Sequence, residues 1–169
     1  MTKVLVAYAT RAGSTAEVAA VIADVLSANG VDAIARNVRE VRDLRGYDAV
    51  VLGSAIRMNH PLGEATRFAR RHAAALAQLP VALYSVCAAL QEDTPDNRQT
   101  AQAQLAPLSA LVTTHHVAHF CGKVDLARLP WYLRLMLRKA GESGEIKLGD
   151  GRDWDAIRAW AGELAAAWR

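Results

Sequence analysis

Nowhere in the 169 residues is there a run of about 18 apolar side chains, so no membrane-spanning helix is expected. The opening "MTKVLVAYAT" is too short in apolar residues to serve as a secretory signal. These absences predict a cytoplasmic chain, one that can lie on the inner face of the cell membrane without crossing it. Cysteine is scarce: Cys87 and Cys121 form neither a metal-ligand spacing nor a redox pair in sequence, and no metal is expected. Charge of one sign is in small excess. A net +3 with a pI near 9.1 is too weak to indicate nucleic acid as a partner. There is no linker, internal repeat or low-complexity tract, so residues 1–169 read as a single domain.

What is present is an alternation. "KVLVAYA", Lys3 to Ala9, is short, apolar and rich in Val, as a buried parallel strand is. Ser14 to Ala28 carries Val18, Val21, Ile22, Val25 and Leu26 at helical spacing, with Gly30 as its stop. Val31 to Val38 predicts a second strand and Tyr47 to Ala55 a third. Between them, Val41 and Leu44 sit in a short polar connector with room for one helical turn, which is expected there. Pro61 to Leu79 predicts a helix with proline in its first turn, and Pro80 to Ala88 a fourth strand. A helix beginning at Thr94, with Pro95 near its first position and Pro107 in its last turn, leads to a fifth strand, Val112 to Gly122. Asp153 to Trp168 is a last amphipathic helix.

Alternating strands and helices predict an α/β fold, a parallel sheet covered on both faces. Five strands with an anion-binding turn after the first fit the flavodoxin-like order 2-1-3-4-5. That turn is "YATRAGSTAEVA", Tyr8 to Ala19. Free N–H groups at a helix start favour an anion. Gly13 permits close approach, the hydroxyls of Thr10, Ser14 and Thr15 can donate to phosphate oxygens, and Arg11 can add charge. The competing reading is that Ser14 merely caps the helix and Gly13 merely turns the chain. The pattern is neither a nucleoside triphosphate loop, since "GKS/T" is missing, nor a dinucleotide fingerprint, since the spaced glycines are missing.

"TRAGSTAEVA" resembles the flavodoxin phosphate loop, T/S-x-T-G-x-T, with Ala12 where the central Thr is usual. "VLGSAIRMNHPLGEATRFARRHAAAL" and "PVALYSVCAAL" resemble the matching parts of the menaquinone-dependent protoporphyrinogen IX dehydrogenases, in which a strand ends in G-[SA]-x-I-R and a His follows. The tail "LPWYLRLMLRKAGESGEIKLGDGRDWDAI" has that family's shape too, so the resemblance covers nearly the whole chain. It implies one FMN. Its phosphate would sit at Thr10, Arg11, Ala12, Gly13, Ser14 and Thr15. Its ring would lie between Ser54, Ala55, Ile56 and Arg57, in the loop reaching Asn59, and Val86, Cys87, Ala88 and Ala89, in the loop reaching Asp93. The implied activity is oxidation of a reduced planar substrate, a porphyrinogen, with electrons passed to a quinone. A soluble electron carrier and a scaffold that has lost flavin are the alternatives.

Neither ring loop contains Trp, Tyr or Phe, in contrast to carriers that stack an aromatic on the flavin. Arg57 is a candidate partner for charge developing on the reduced flavin or for a substrate carboxylate; otherwise it is a solvated arginine. His60 is a candidate proton donor or a residue facing water. His115, His116 and His119 fall on the predicted fifth strand. His115 and His119 share a face roughly 13 Å apart, too far to share a metal. Cys87 and Cys121 end the fourth and fifth strands and read as small buried residues.

Residues 123–151 stand outside the alternation. "LARLPWYLRLMLRKAG" places Leu129, Leu133, Met136 and Leu137 on one helical face, extended by Trp131 and Leu135, with Arg128, Arg134, Arg138 and Lys139 close by. Membrane contact through 126–140, packing on the sheet and closure of a homodimer each account for such a helix. The resemblance favours the membrane, where the quinone resides.

Overall fold

The computed structural model describes residues 1–124, 126–128, 130–144 and 148–169. Its elements run β1 (Lys3–Ala9), α1 (Ser14–Ala28), β2 (Asp32–Asn37), β3 (Ala49–Arg57), β4 (His60–Pro61), α2 (Gly63–Arg71), α3 (Ala73–Leu76), β5 (Val81–Cys87), α4 (Pro95–Ser109), β6 (His116–Cys121), β7 (Lys123–Val124), α5 (Trp131–Glu142), β8 (Gly149–Asp150) and α6 (Trp154–Trp168). The five long strands lie in the order β2-β1-β3-β5-β6, all parallel. Counted without the two-residue bridges, that is the expected 2-1-3-4-5.

The central strands are apolar on both faces because both faces are covered. Val4, Val6, Val51, Ala82, Tyr84 and Phe120 meet α1 and α6, where Ile22, Leu26, Ile157 and Leu164 are fully buried. Leu5, Ala7, Val50, Leu52 and Leu83 meet α2, α3 and α4 through Phe68, Leu76, Leu105 and Leu108. Each such aliphatic side chain contributes about 2 kcal/mol by leaving water. The layers are therefore helix, sheet, helix.

Three local expectations need correction. No helical turn forms between β2 and β3. The connector's aliphatic residues Val38, Val41 and Leu44 dock singly onto the core with 4–5% of their surface exposed each. Pro61 does not open α2. Met58 and Asn59 adopt positive φ, 50° and 64°, turning the chain into a hairpin that pairs Arg57 with His60 and Ile56 with Pro61. The helix starts two residues later and breaks at His72 into α3. The last long strand starts at His116, which leaves His115 outside it. The Thr114 hydroxyl makes the transition: it donates to the Val81 carbonyl at 2.5 Å and accepts from the His116 N–H at 3.2 Å. By contrast, Thr94 caps α4 as its sequence suggests, accepting from the Asn97 N–H.

Candidate functional site

The C-terminal ends of β1, β3 and β5 open into a cavity of about 360 Å³, at the place where ligands bind in this sheet order. Eleven of the expected site residues line it. Thr10, Arg11, Ala12, Ser14 and Thr15 come from the first turn, Ala55, Ile56 and Arg57 from the end of β3, and Val86, Cys87 and Ala88 from the end of β5. Three separated stretches of sequence thus converge on one space.

The first turn has the features that suit an anion. Gly13 holds φ at 89°, a left-handed conformation that disfavours a side chain, and it stands as N-cap of α1 with no side-chain cap. Ser14 is therefore not the cap. Its hydroxyl accepts from the Lys123 N–H at 3.2 Å. Thr10 Oγ1 accepts from the Gly13 N–H at 3.0 Å and closes the turn. The Thr15 hydroxyl is fully buried, lines the cavity and has no hydrogen-bond partner. A buried unpartnered hydroxyl costs about 1–3 kcal/mol, and a ligand oxygen at this point would satisfy it. Arg11, Arg57 and Lys123 are the charged residues of the lining, with no carboxylate among the described residues. Helix N-terminus, orphan hydroxyl and three cations all favour a phosphate, so the residues present fit FMN.

Four expected residues do not line the cavity. Gly13 acts through the turn it makes. Ser54 is wholly buried and faces inward, accepting from the Leu62 N–H at 3.0 Å and donating to the Ala55 carbonyl at 2.8 Å. It fixes the hairpin that carries Arg57. Ala89 lies in the short 3-10 segment Ala88–Gln91, from which Gln91 reaches the cavity instead. His60 is exposed on β4. Arg57 is exposed, and no described acidic side chain pairs with it.

Sequence reasoning missed the roof. Leu133, Met136 and Leu137 of α5 line the cavity together with Lys123 and Val124 of β7. The segment placed outside the alternation therefore closes the site. β7 and β8 pair antiparallel, Lys123 with Asp150 and Val124 with Gly149. Arg152, just beyond β8, anchors this ribbon: only 3% of its side chain is exposed, it contacts Glu17 of α1 and Asp150 at 2.6 Å each, and it stacks on Trp154. The Arg152 guanidinium holds the Asp150 carboxyl down at about 2. The other face of α5 stays open, with Trp131 75%, Tyr132 53% and Leu135 54% exposed. Leu129 and the Arg128 side chain lie outside the described residues.

Among the described residues no aromatic side chain lines the cavity; its apolar lining is aliphatic apart from the Cys87 thiol and the Met136 thioether. Cys87 and Cys121 are register partners on β5 and β6, both buried and both free. Burial pushes both thiols up, which suppresses the thiolate. His119 faces the α4 side, its Nδ1 2.7 Å from the Ser85 hydroxyl, and desolvation pushes its pKa down.

Comparison with known proteins follows the same line. Over 171 aligned residues the chain is 29% identical to the Escherichia coli K12 protein named protoporphyrinogen IX dehydrogenase [quinone], covering 96% of this chain and 94% of that one. A flavodoxin from the domain Archaea superposes with a TM-score of 0.62 at 13% identity, covering 98% of both chains. A mutant of flavodoxin from Pseudomonas aeruginosa gives 0.59 at 15% identity, covering 99% of both. At such identities the two structures show the fold. A family model described as a flavodoxin domain matches residues 5–146, and with that match the chain belongs to the flavodoxin domain family, as an FMN-dependent oxidoreductase.

Proposed function

We propose that this chain removes hydrogen from a porphyrinogen-type substrate through FMN held in the cavity, and passes the electrons to a quinone at a membrane surface. The observation that carries this reading is the roof: an aliphatic helix face over the ring position, continuous with an exposed apolar and aromatic face. A diffusing carrier needs neither. The E. coli relative's name supports the same substrate and acceptor over nearly the full chain.

Thr10, Ser14, Thr15 and the N–H groups opening α1 would hold the phosphate, with Arg11 and Lys123 supplying charge. Ala55, Ile56 and Arg57 would flank the ring on one side, and Val86, Cys87 and Ala88 on the other. Bound FMN supplies two-electron redox chemistry, and the protein orients it and tunes it. The Arg57 guanidinium stabilises negative charge at the ring end of the cavity. The α5 face excludes water from above. His60 stands outside the described lining.

Titration with FMN should give a protein with bound-flavin absorbance. Anaerobic mixing of that holoprotein with protoporphyrinogen IX and a menaquinone analogue should then produce protoporphyrin IX with repeated turnover. Flavin binding without turnover would leave the carrier reading. Failure to bind flavin would remove both.

A further inference from the structure

Behind the phosphate turn lies a buried carboxylate that the cofactor contacts above do not use. Glu64 is the second residue of α2, and 8% of its side chain is exposed. Its place is set from the sheet. The Ser54 hydroxyl accepts from the N–H of Leu62, the N-cap of α2 and a residue of the cavity lining. Glu64 follows in the first turn, where the helix dipole favours an acid, and stands just behind the cavity wall, outside the described lining. Its Oε1 meets two cations: Arg11 of the phosphate turn at 3.1 Å, and Arg39 of the connector after β2. Its Oε2 is buried and makes no hydrogen bond.

An unsatisfied oxygen on a buried carboxylate lowers stability, so support of the fold is a poor explanation for Glu64. Arg39 accounts for its ionisation: that guanidinium, against the effect of burial, holds the Glu64 carboxyl below the usual carboxylate range. Arg11, unlike Arg39, is among the described residues that line the cavity, and 52% of its side chain is exposed. An arginine so exposed samples many rotamers, and fixing it on a ligand costs entropy. The contact with Glu64 restricts that freedom in advance. It engages one terminal nitrogen of the fork and leaves other donors for a phosphate. The opposing effect is repulsion between Glu64 and that phosphate. Two guanidinium groups stand on the one carboxylate, so the repulsion is screened while the restraint on Arg11 is direct.

We infer that Glu64 is a positioning residue for the cofactor: it holds the Arg11 guanidinium at the phosphate turn and so raises the preference for FMN over riboflavin, which lacks the phosphate. The inference rests on the phosphate placement given above, and the test separates the two. The flavin-free protein and its Arg11→Gln, Glu64→Gln and Arg11→Gln/Glu64→Gln variants are titrated with FMN and with riboflavin, followed by flavin fluorescence. Arg11→Gln should weaken FMN binding about tenfold through loss of one charge-assisted contact, and leave riboflavin unchanged. Glu64→Gln should weaken FMN binding about fivefold by releasing that contact, again with riboflavin unchanged. The double variant should bind FMN as Arg11→Gln does, because Glu64 acts through Arg11. If Glu64→Gln does not fold, the same outcomes are read on Glu64→Asp, whose carboxylate is one methylene short of Arg11. Unchanged or tighter FMN binding on substitution of Glu64, an equal loss of riboflavin, or a further loss in the double variant overturns the positioning role. If Arg11→Gln leaves the ratio of the two affinities unchanged, the phosphate placement falls, and the positioning role with it.

Discussion

The Tyr84 ring occupies the space that a side chain at Gly53 would need: a Cβ there would lie 1.9 Å from the ring's Cζ. Tyr84 is fully buried on β5, packs against Phe120 and Trp160, and places its hydroxyl 3.4 Å from the Thr15 carbonyl. The ring thus spans from β5 across β3 to the start of α1, beneath the phosphate turn. Gly53→Ala should therefore destabilise the fold by at least about 3 kcal/mol, the upper range for overpacking a rigid core. Chemical denaturation of the flavin-free protein would measure it. Tyr84→Phe removes one long hydrogen bond and should lose about 1 kcal/mol or less. A tolerated alanine at position 53 would mean that the ring can move aside.

The Thr15 hydroxyl separates cofactor binding from stability. Because it is buried and unpartnered, replacing it by a methyl group of similar shape leaves nothing unsatisfied in the flavin-free protein. Thr15→Val should keep or raise the melting temperature of that form. Its affinity for FMN should fall about tenfold, the equivalent of roughly 1.4 kcal/mol for one hydrogen bond to a charged oxygen. Fluorescence titration with FMN measures the affinity, and a thermal scan measures the stability. A fall in both would place the hydroxyl in a structural role instead.

The exposed face of α5 makes a separate prediction. Trp131 and Leu135 project from it beside Arg134 and Arg138, the pairing of aromatic, aliphatic and basic residues that binds an anionic bilayer surface. No helix among the described residues is long and apolar enough to cross a membrane. Trp131→Ser with Leu135→Ser should lower co-sedimentation with anionic vesicles by about tenfold, given roughly 1.5–3 kcal/mol for each large apolar side chain withdrawn from water and incomplete insertion. FMN binding should be unaffected, because neither residue lines the cavity. Unchanged sedimentation would remove the membrane from the proposed function.

The strand order and the first turn were legible in the sequence because both rest on local signals: continuous apolar runs, helical spacing, and a glycine between hydroxyls. Cys87 and Cys121, placed by the sequence at the ends of the fourth and fifth strands, are buried register partners there. What escaped depends on contacts distant in sequence. The roof of the cavity forms because Lys123 meets the hydroxyl of Ser14, 109 residues away, and no periodicity encodes that meeting. Ser54 is expected at the ring because it fills a position of the G-[SA]-x-I-R motif, yet its hydroxyl turns inward to the Leu62 N–H. The alternation of a strand gives the face of a residue, not the partner that its side chain finds at the strand's end.

Arg152 decides whether the ribbon that carries Lys123 stays on the phosphate turn. Its guanidinium is almost wholly buried, while Glu17 and Asp150 keep 42% and 40% of their side chains exposed. On removal of the arginine these carboxylates can rehydrate, so the loss should be smaller than for a fully buried pair. Arg152→Met, which keeps much of the packing on Trp154, should cost about 2 kcal/mol. The pH dependence has a definite sign. The Asp150 carboxyl is lowered in the folded protein from 3.8 to about 2. Its contribution is therefore fully present above pH 3.8 and is lost as the pH falls from there toward 2. In Arg152→Met that part of the acid-unfolding curve should flatten, while stability near pH 7 is already reduced. FMN affinity should fall as well, since the loosened β7–β8 ribbon no longer holds Lys123 at the cavity. Denaturation curves at pH 7, 4 and 3 together with one FMN titration test all three effects. An unchanged FMN affinity would show that the ribbon holds its place through the β7–β8 pairing and the Ser14 contact alone.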